Sequence, residues 1–401
     1  MISRSRYRGR SRRRKGMTAL VVISAVLALG LVAGLLVLPN YLVYMPDGRV
    51  YFDIPFLNRW REEPLPTPSG AELPVLRTLD PPVPDTPTPT PMPTPTPTPA
   101  AERSFHALYA PIALVQTEDG LNALRAQVTA GGPVDALVLE LKAESGLLAF
   151  RSSMPFAIQA KVSAETDVAA AHIRALRREG IYVVAALSAF KDASVPQQES
   201  SVGVKHVSGV NWLDNTRSRW LDPYKDPART YLLGLITEVA GLGVDEILLD
   251  RFSFPARGSL HAISYGAYED TPRSDALESF AREAADRLAS SHVALSVMLE
   301  DKTAQTGEDP LGGQRLTALA SIFDRIYAAV PLTDTGAAFA PVLTAVSAVT
   351  PADRLSAKLV PVLTVPEDLP PETLQISLDA AGGREGLGWL LMNAQGVYTA
   401  P

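Results

Sequence analysis

From residue 102 onward, short runs rich in Val, Ile and Leu alternate with amphipathic stretches, and no other feature limits the fold as much. Residues 105–111, 135–142, 181–190, 245–254, 293–300, 325–331, 358–365 and 388–393 read as strands. These runs show little polar–apolar alternation, as expected of strands covered on both faces. Helical periodicity falls between them, over 120–129, 167–179, 226–242, 274–290 and 314–323, with Asp167 and Asp226 as expected N-caps. Alternating strands and helices imply a parallel sheet. Eight such units predict an α/β fold of the (β/α)8 TIM-barrel type over residues 102–401, with a doubly wound sheet as the competing arrangement.

The first hundred residues have a different character. Arg4, Arg6, Arg8, Arg10, Arg12, Arg13, Arg14 and Lys15 make residues 1–17 a basic tail. An uncharged run follows, strongest over the 21 residues 18–38, and about 20 helical residues span a hydrocarbon core. Residues 18–43 are therefore expected to be a transmembrane anchor, with Tyr41, Tyr44 and Tyr51 suited to the interface. A cleaved signal peptide competes, but its apolar region is normally about 7–15 residues. The positive-inside rule puts the tail in the cytoplasm and the rest outside, on a single-pass cell-membrane protein. Residues 44–101 are a membrane-proximal segment and a Pro/Thr-rich linker. Residues 64–99 hold 14 of the chain's 34 prolines, a composition that favours an extended spacer over helix or sheet.

Composition removes several classes of function. With Cys 0, neither a disulfide scaffold nor a thiolate metal site is available. His106, His172, His206, His261 and His292 are scattered, without an HxxxH pair, and no glycine-rich phosphate loop or G-x-S-x-G elbow occurs. No metal and no cofactor are expected. A net charge of −6, with basic residues crowded into the tail, argues against nucleic acid. A monomer is expected.

Barrels carry their chemistry at the C-terminal ends of the strands. There the sequence sets Glu140, Lys142 and Glu144, then Asp250 and Arg251, then Glu300, with Trp220, Asp222 and Tyr224 in a long loop. Paired carboxylates suit glycoside hydrolysis, in which one protonates the leaving oxygen and the other attacks or activates water. Asp250, Glu140 and Glu300 are the candidate catalytic residues. Lys142, Glu144, Trp220, Asp222, Tyr224 and Arg251 are the candidate substrate-binding residues. Asp250 is expected to pair with Lys142 or Arg251, Glu140 with Lys142, and Lys191 with Asp192. Strand alternation would point Arg251 away from Asp250.

The segments DALVLELKAESG, REGIYVVAALSAFKD, WLDPY, LGVDEILLDRFSFP and DPLGGQRLTALASIFDRI, in this order, resemble a family of bacterial glycoside hydrolases known as a domain of unknown function. The resemblance runs over about 107–330 and implies a TIM barrel acting on carbohydrate. It maps the family's second-strand acid–lysine–acid motif onto Glu140, Lys142 and Glu144, and its fourth-strand aspartate onto Asp250. Trp220, Asp222, Pro223 and Tyr224 match its tryptophan-x-aspartate-proline-tyrosine. Ser253 stands where the family has arginine, Met298 where it has aspartate and Val330 where it has tyrosine. The expected function is hydrolysis of a cell-wall or extracellular polysaccharide by a membrane-anchored enzyme of carbohydrate metabolism. Two alternatives stand beside it: a barrel that binds glycan at the cell surface without cleaving it, and a structural or partner-binding ectodomain.

Overall fold

The computed structural model describes residues 42–44, 50–52, 104–332, 335–366, 369–382 and 386–398. The basic tail and nearly all of the expected anchor and linker lie outside the described residues. Within that stretch Leu42–Tyr44 pairs antiparallel with Val50–Phe52. Among the described residues, no helix is long and apolar enough to cross a membrane.

Eight parallel strands close into a barrel in sequence order, which removes the doubly wound alternative. They are β1 (His106–Ala110), β2 (Ala136–Lys142), β3 (Tyr182–Ser188), β4 (Glu246–Asp250), β5 (Ala294–Met298), β6 (Arg325–Ala329), β7 (Leu359–Thr364) and β8 (Trp389–Met392). The barrel closes where β8 pairs with β1, Leu390 opposite Ala107. Around it lie α1 (Asn122–Thr129), α2 (Val168–Arg178), α3 (Asp226–Gly241), α4 (Arg273–Leu288), α5 (Leu316–Ile322), α6 (Thr335–Ser347) and α7 (Pro371–Gly382).

The weak alternation of the strand sequences now has a cause. Leu137, Val183, Ile247 and Leu249 point outward and pack with Ile173 of α2, Ile236 of α3 and Phe280 of α4. Val138, Val184, Ala186 and Leu248, one residue out of step, fill the barrel interior with Ala107, Tyr327 and Leu390. Both faces are apolar because both are buried.

Two helix starts differ from expectation. Asp167 caps α2 by position only: its backbone is not extended and its side chain makes no cap bond, lying instead 3.5 Å from Arg151. At α3 the cap position belongs to Lys225, and Asp226 is the first helical residue, where its charge complements the helix N-terminus. The helix expected over 314–323 starts later, because Gln314–Arg315 pairs with Glu308–Asp309 as a short hairpin.

At the N-terminal end of the barrel lies an ion pair that the sequence reading did not anticipate. Glu246 and Arg325, the first residues of β4 and β6, are 0% and 1% exposed and paired by Arg325 Nη1. Glu246 also accepts hydrogen bonds from Tyr182 (2.9 Å), Tyr327 (2.7 Å) and Ser296 (2.6 Å). Arg325 donates to the Ala357 carbonyl at 2.8 Å and lies over the Phe105 ring, 4.7 Å from its centroid. Burial favours the neutral guanidine, but Glu246 outweighs it and the Arg325 pKa rises. Removing one partner of such a pair leaves the other charge buried and costs about 3–5 kcal/mol, whereas replacing both can be near neutral. Glu246→Gln should therefore lower urea stability by about that amount, and Glu246→Leu with Arg325→Met should fail to restore it, because the Tyr182, Tyr327 and Ser296 hydroxyls lose their acceptor.

Candidate active site at the barrel mouth

The period of two that fills the interior also delivers the site. On β2, Ala136 and Val138 lead to Glu140; on β4, Glu246 and Leu248 lead to Asp250. A register irregularity between Glu140 and Lys142 marks the end of β2. Two cavities open at this end. The smaller, about 340 Å³, is lined by Tyr109, Glu140, Lys142, Leu248, Met298 and Met392 among others. The larger, about 460 Å³, takes in Lys191, Asp214, Trp220, Ser253, Arg257 and Glu300. Glu144, Asp250, Arg251, Met298 and Met392 line both.

Asp250 thus forms part of the wall of each cavity, with Glu140 in one and Glu300 in the other. Its Oδ1 accepts the Arg251 N–H at 2.8 Å. Glu140 Oε2 accepts the Ile112 N–H at 2.8 Å. Glu300 Oε1 accepts the Ser253 hydroxyl at 3.0 Å, and the Glu300 N–H donates to Gln314 at 2.9 Å. Burial raises all three carboxyl pKa values, against Arg251 for Asp250 and Glu300 and against the Ile112 N–H for Glu140. Glu144 goes the other way. Burial alone would raise it, but hydrogen bonds and charge from Lys191 and Arg251 hold it below the usual range. The mouth therefore sets three carboxyls whose pKa burial raises beside one, Glu144, whose pKa the neighbouring cations lower.

The expected ion pairs are rearranged. Lys142 reaches neither Glu140 nor Asp250: its enclosed ammonium lies 3.0 Å from Asp192, off the direction of a hydrogen bond, and donates to the Ser188 carbonyl at 2.7 Å. Lys191 does not pair with Asp192 but with Glu144 at 2.7 Å and Asp214 at 3.7 Å. Arg251 sits on the same side as Asp250, because β4 has ended and a left-handed backbone (φ 48°) breaks the alternation. Its Nε meets Glu144 at 2.5 Å and its Nη1 lies 3.8 Å from Glu300.

The long loop divides its candidates. Trp220 lines the larger cavity, but it is 7% exposed, pinned by its Nε1–H to Asp214 at 3.0 Å. Asp222 and Tyr224 lie outside both cavity linings. The Tyr224 hydroxyl donates to Thr271, and its ring stacks on Tyr268 at 5.2 Å. Asp222 accepts the Tyr224 N–H at 3.1 Å and lies 3.6 Å from Lys225. Sequence reasoning missed Tyr109, Met392, Asp214 and Gln314 at the site. Tyr109 and Met392 had a signal, since each stands two residues beyond an interior position of its strand. Among the described residues, no group of three His, Asp or Glu side chains could hold a metal ion.

A closed parallel barrel with carboxyls gathered at its C-terminal mouth belongs to the (β/α)8 class. Within that class the chain belongs to the family described as "Putative glycosyl hydrolase domain", whose model matches residues 107–330. No match is found among curated proteins. Similar solved structures include a hypothetical protein from Ruminiclostridium thermocellum ATCC 27405, 24% identical over 47% of this chain and 96% of that one, with a TM-score of 0.43. The glycoside hydrolase domain of PelA from Pseudomonas aeruginosa is 16% identical over 74% and 96%, with a TM-score of 0.42. The spore cortex-lytic enzyme SleL of Bacillus megaterium QM B1551 is 13% identical over 77% and 73%, also with a TM-score of 0.42.

Burial pushes the Asp222 carboxyl up to about 6, against the pull of Lys225. A raised carboxyl binds its proton more tightly folded than unfolded. Its contribution to stability is therefore complete below about pH 4 and is lost as pH rises through about 6. Asp222→Asn should be more stable than the native chain at pH 7, by up to about 3 kcal/mol, and close to it at pH 4. Urea midpoints at the two pH values measure this.

Proposed function

We propose that the barrel hydrolyses glycosidic bonds of a cell-wall or extracellular polysaccharide, with Asp250 as one carboxyl of a catalytic pair. The observation that carries this reading is the position of Asp250 on both cavities, flanked by Glu140 in one and Glu300 in the other. Family membership supports it. A carboxyl whose pKa burial raises is suited to protonate the leaving oxygen. The ionised partner attacks the anomeric carbon or activates water; Glu140, fixed by the Ile112 N–H, serves from the smaller cavity, or Glu300, fixed by Ser253, from the larger. Glu144 stays charged and holds Lys191 and Arg251 at the rim. The basic tail, apolar run and proline-rich spacer support a membrane-tethered enzyme whose barrel works outside the cell.

A second reading is a barrel that binds glycan without cleaving it. Met298 and Ser253, uncharged among the acids of the mouth, favour it.

The test incubates the full chain with a panel of cell-wall and exopolysaccharides and measures new reducing ends. Asp250→Asn should lower kcat by about 10²–10⁴-fold while melting no earlier than the native chain, because burial already disfavours the charged carboxyl and the amide oxygen can still accept the Arg251 N–H. The native enzyme should lose activity as pH rises through the raised Asp250 pKa, since the acid must hold its proton. Of Glu140→Gln and Glu300→Gln, the one that matches the Asp250→Asn loss identifies the partner. Undiminished turnover in Asp250→Asn sinks the assignment, and saturable binding with no release by the native chain moves the reading to the second.

A further inference from the structure

Resting on the glycosidase reading above, we propose that Tyr109 is a positioning residue: its hydroxyl and the Ile112 N–H hold Glu140 as the ionised partner of Asp250, in preference to Glu300. Tyr109 stands on β1 opposite Val138 of the parallel β2, two residues before Glu140. Alternation along β2 keeps Val138 and Glu140 on one face, and Tyr109 packs on the same interior cluster as Val138. Tyr109, Glu140 and Asp250 all line the smaller cavity. There the Tyr109 hydroxyl hydrogen-bonds Glu140. Burial, then the charges of Glu140 and Asp250, raise the Tyr109 pKa above its ordinary value, so the phenol keeps its proton and is the donor. Its backbone is fixed in turn, since the Tyr109 carbonyl accepts the Tyr398 hydroxyl at 2.7 Å.

The two candidate partners of Asp250 differ in what holds them. Ile112 opens a one-turn helix, so its N–H has no partner within that helix, and it meets Glu140 Oε2 at 2.8 Å. A backbone N–H can only donate. The Glu140 carboxyl thus receives two donors, one of which cannot accept. Glu300 receives the Ser253 hydroxyl at 3.0 Å, which can donate to a carboxylate or accept from a carboxylic acid. Arg251 pulls down both Asp250 and Glu300, so its charge does not set one apart from the other. The Tyr109 hydrogen bond goes to Glu140, and an acid–base pair needs its two members held apart. Burial is the largest influence on Glu140 and opposes its charge; the Ile112 N–H and then the Tyr109 hydroxyl resist it, while Asp250 and Glu144 side with burial. The cations on this cavity, Lys142 and Arg251, are engaged by Asp192 and Glu144.

The experiment measures the pH dependence of reducing-end release by the full chain and by Tyr109→Phe, and follows ¹³C-labelled Glu carboxyl and Tyr ring carbons by NMR over the same pH range. Glu140→Gln and Glu300→Gln assign the two carboxyls, and Tyr109 is the tyrosine whose pH response disappears in Glu140→Gln. In the native chain the Tyr109 signal should move at the Glu140 midpoint. In Tyr109→Phe the Glu140 midpoint should rise by about one pH unit while Glu300 stays in place. A base must lose its proton before it acts, so the acidic limb of kcat should rise with Glu140. Turnover then falls about tenfold below the native midpoint and much less above it. An unmoved Glu140 midpoint, the absence of any tyrosine that responds to Glu140, or an acidic limb that follows Glu300 overturns the proposal. The native-chain response keeps the test decisive if Tyr109→Phe does not fold. No turnover by the native chain with these NMR responses present would remove the hydrolase reading and leave Tyr109 as the residue that holds Glu140, whereas turnover without them would do the reverse.

Discussion

Glu246 holds the barrel together from its closed end. One carboxylate collects Arg325 from β6, Tyr182 from β3, Tyr327 from β6 and Ser296 from β5. A charge enclosed this fully tolerates little movement, because any slip strands it without a partner. Four residues further along the same strand stands Asp250. Side chains at that spacing share a face, so fixing Glu246 at one end fixes Asp250 at the other. The polar floor and the acidic mouth are two ends of one registration.

The mouth follows a second rule, that charge is neutralised in place. Lys142 meets Asp192, Lys191 meets Glu144 and Asp214, Arg251 meets Glu144, and Arg257 meets Asp301. Glu140 and Asp250 are paired with none of these cations. Asp250 is held by the Arg251 N–H and Glu140 by the Ile112 N–H and the Tyr109 hydroxyl, and burial raises the pKa of both. Selective neutralisation turns a general accumulation of acids into a site where two carboxyls differ from the rest.

The sequence made the strands and their order legible because burial on both faces writes itself as unbroken Val, Ile and Leu runs. Glu140 and Asp250 stood out as acids ending such runs, and their place at the mouth follows from parity along the strand. The partners were not legible. Glu246 sits in the same run as Asp250, and nothing local distinguishes an acid that meets Arg325, 79 positions away, from one that faces a cavity. Lys142 shares a run with Glu140, which made that pair look natural. Yet its true partner lies on the loop beyond β3, and only the pairing of β2 with β3 brings them together. Arg251 was misread for a different reason: parity holds only while the strand lasts, and a single left-handed residue ended it.

The enclosed Lys142–Asp192 pair has a consequence for how barrels of this kind diversify. The loop after β3 carries Asp192, and the strand before it carries Lys142. Exchanging that loop for another without an acid at the same place would leave an ammonium sealed in the barrel with no counter-charge. The loop is therefore not a freely interchangeable module. Recombination between relatives should succeed only when the loop and the β2 lysine are inherited together, which ties the evolution of the rim to a residue in the wall beneath it.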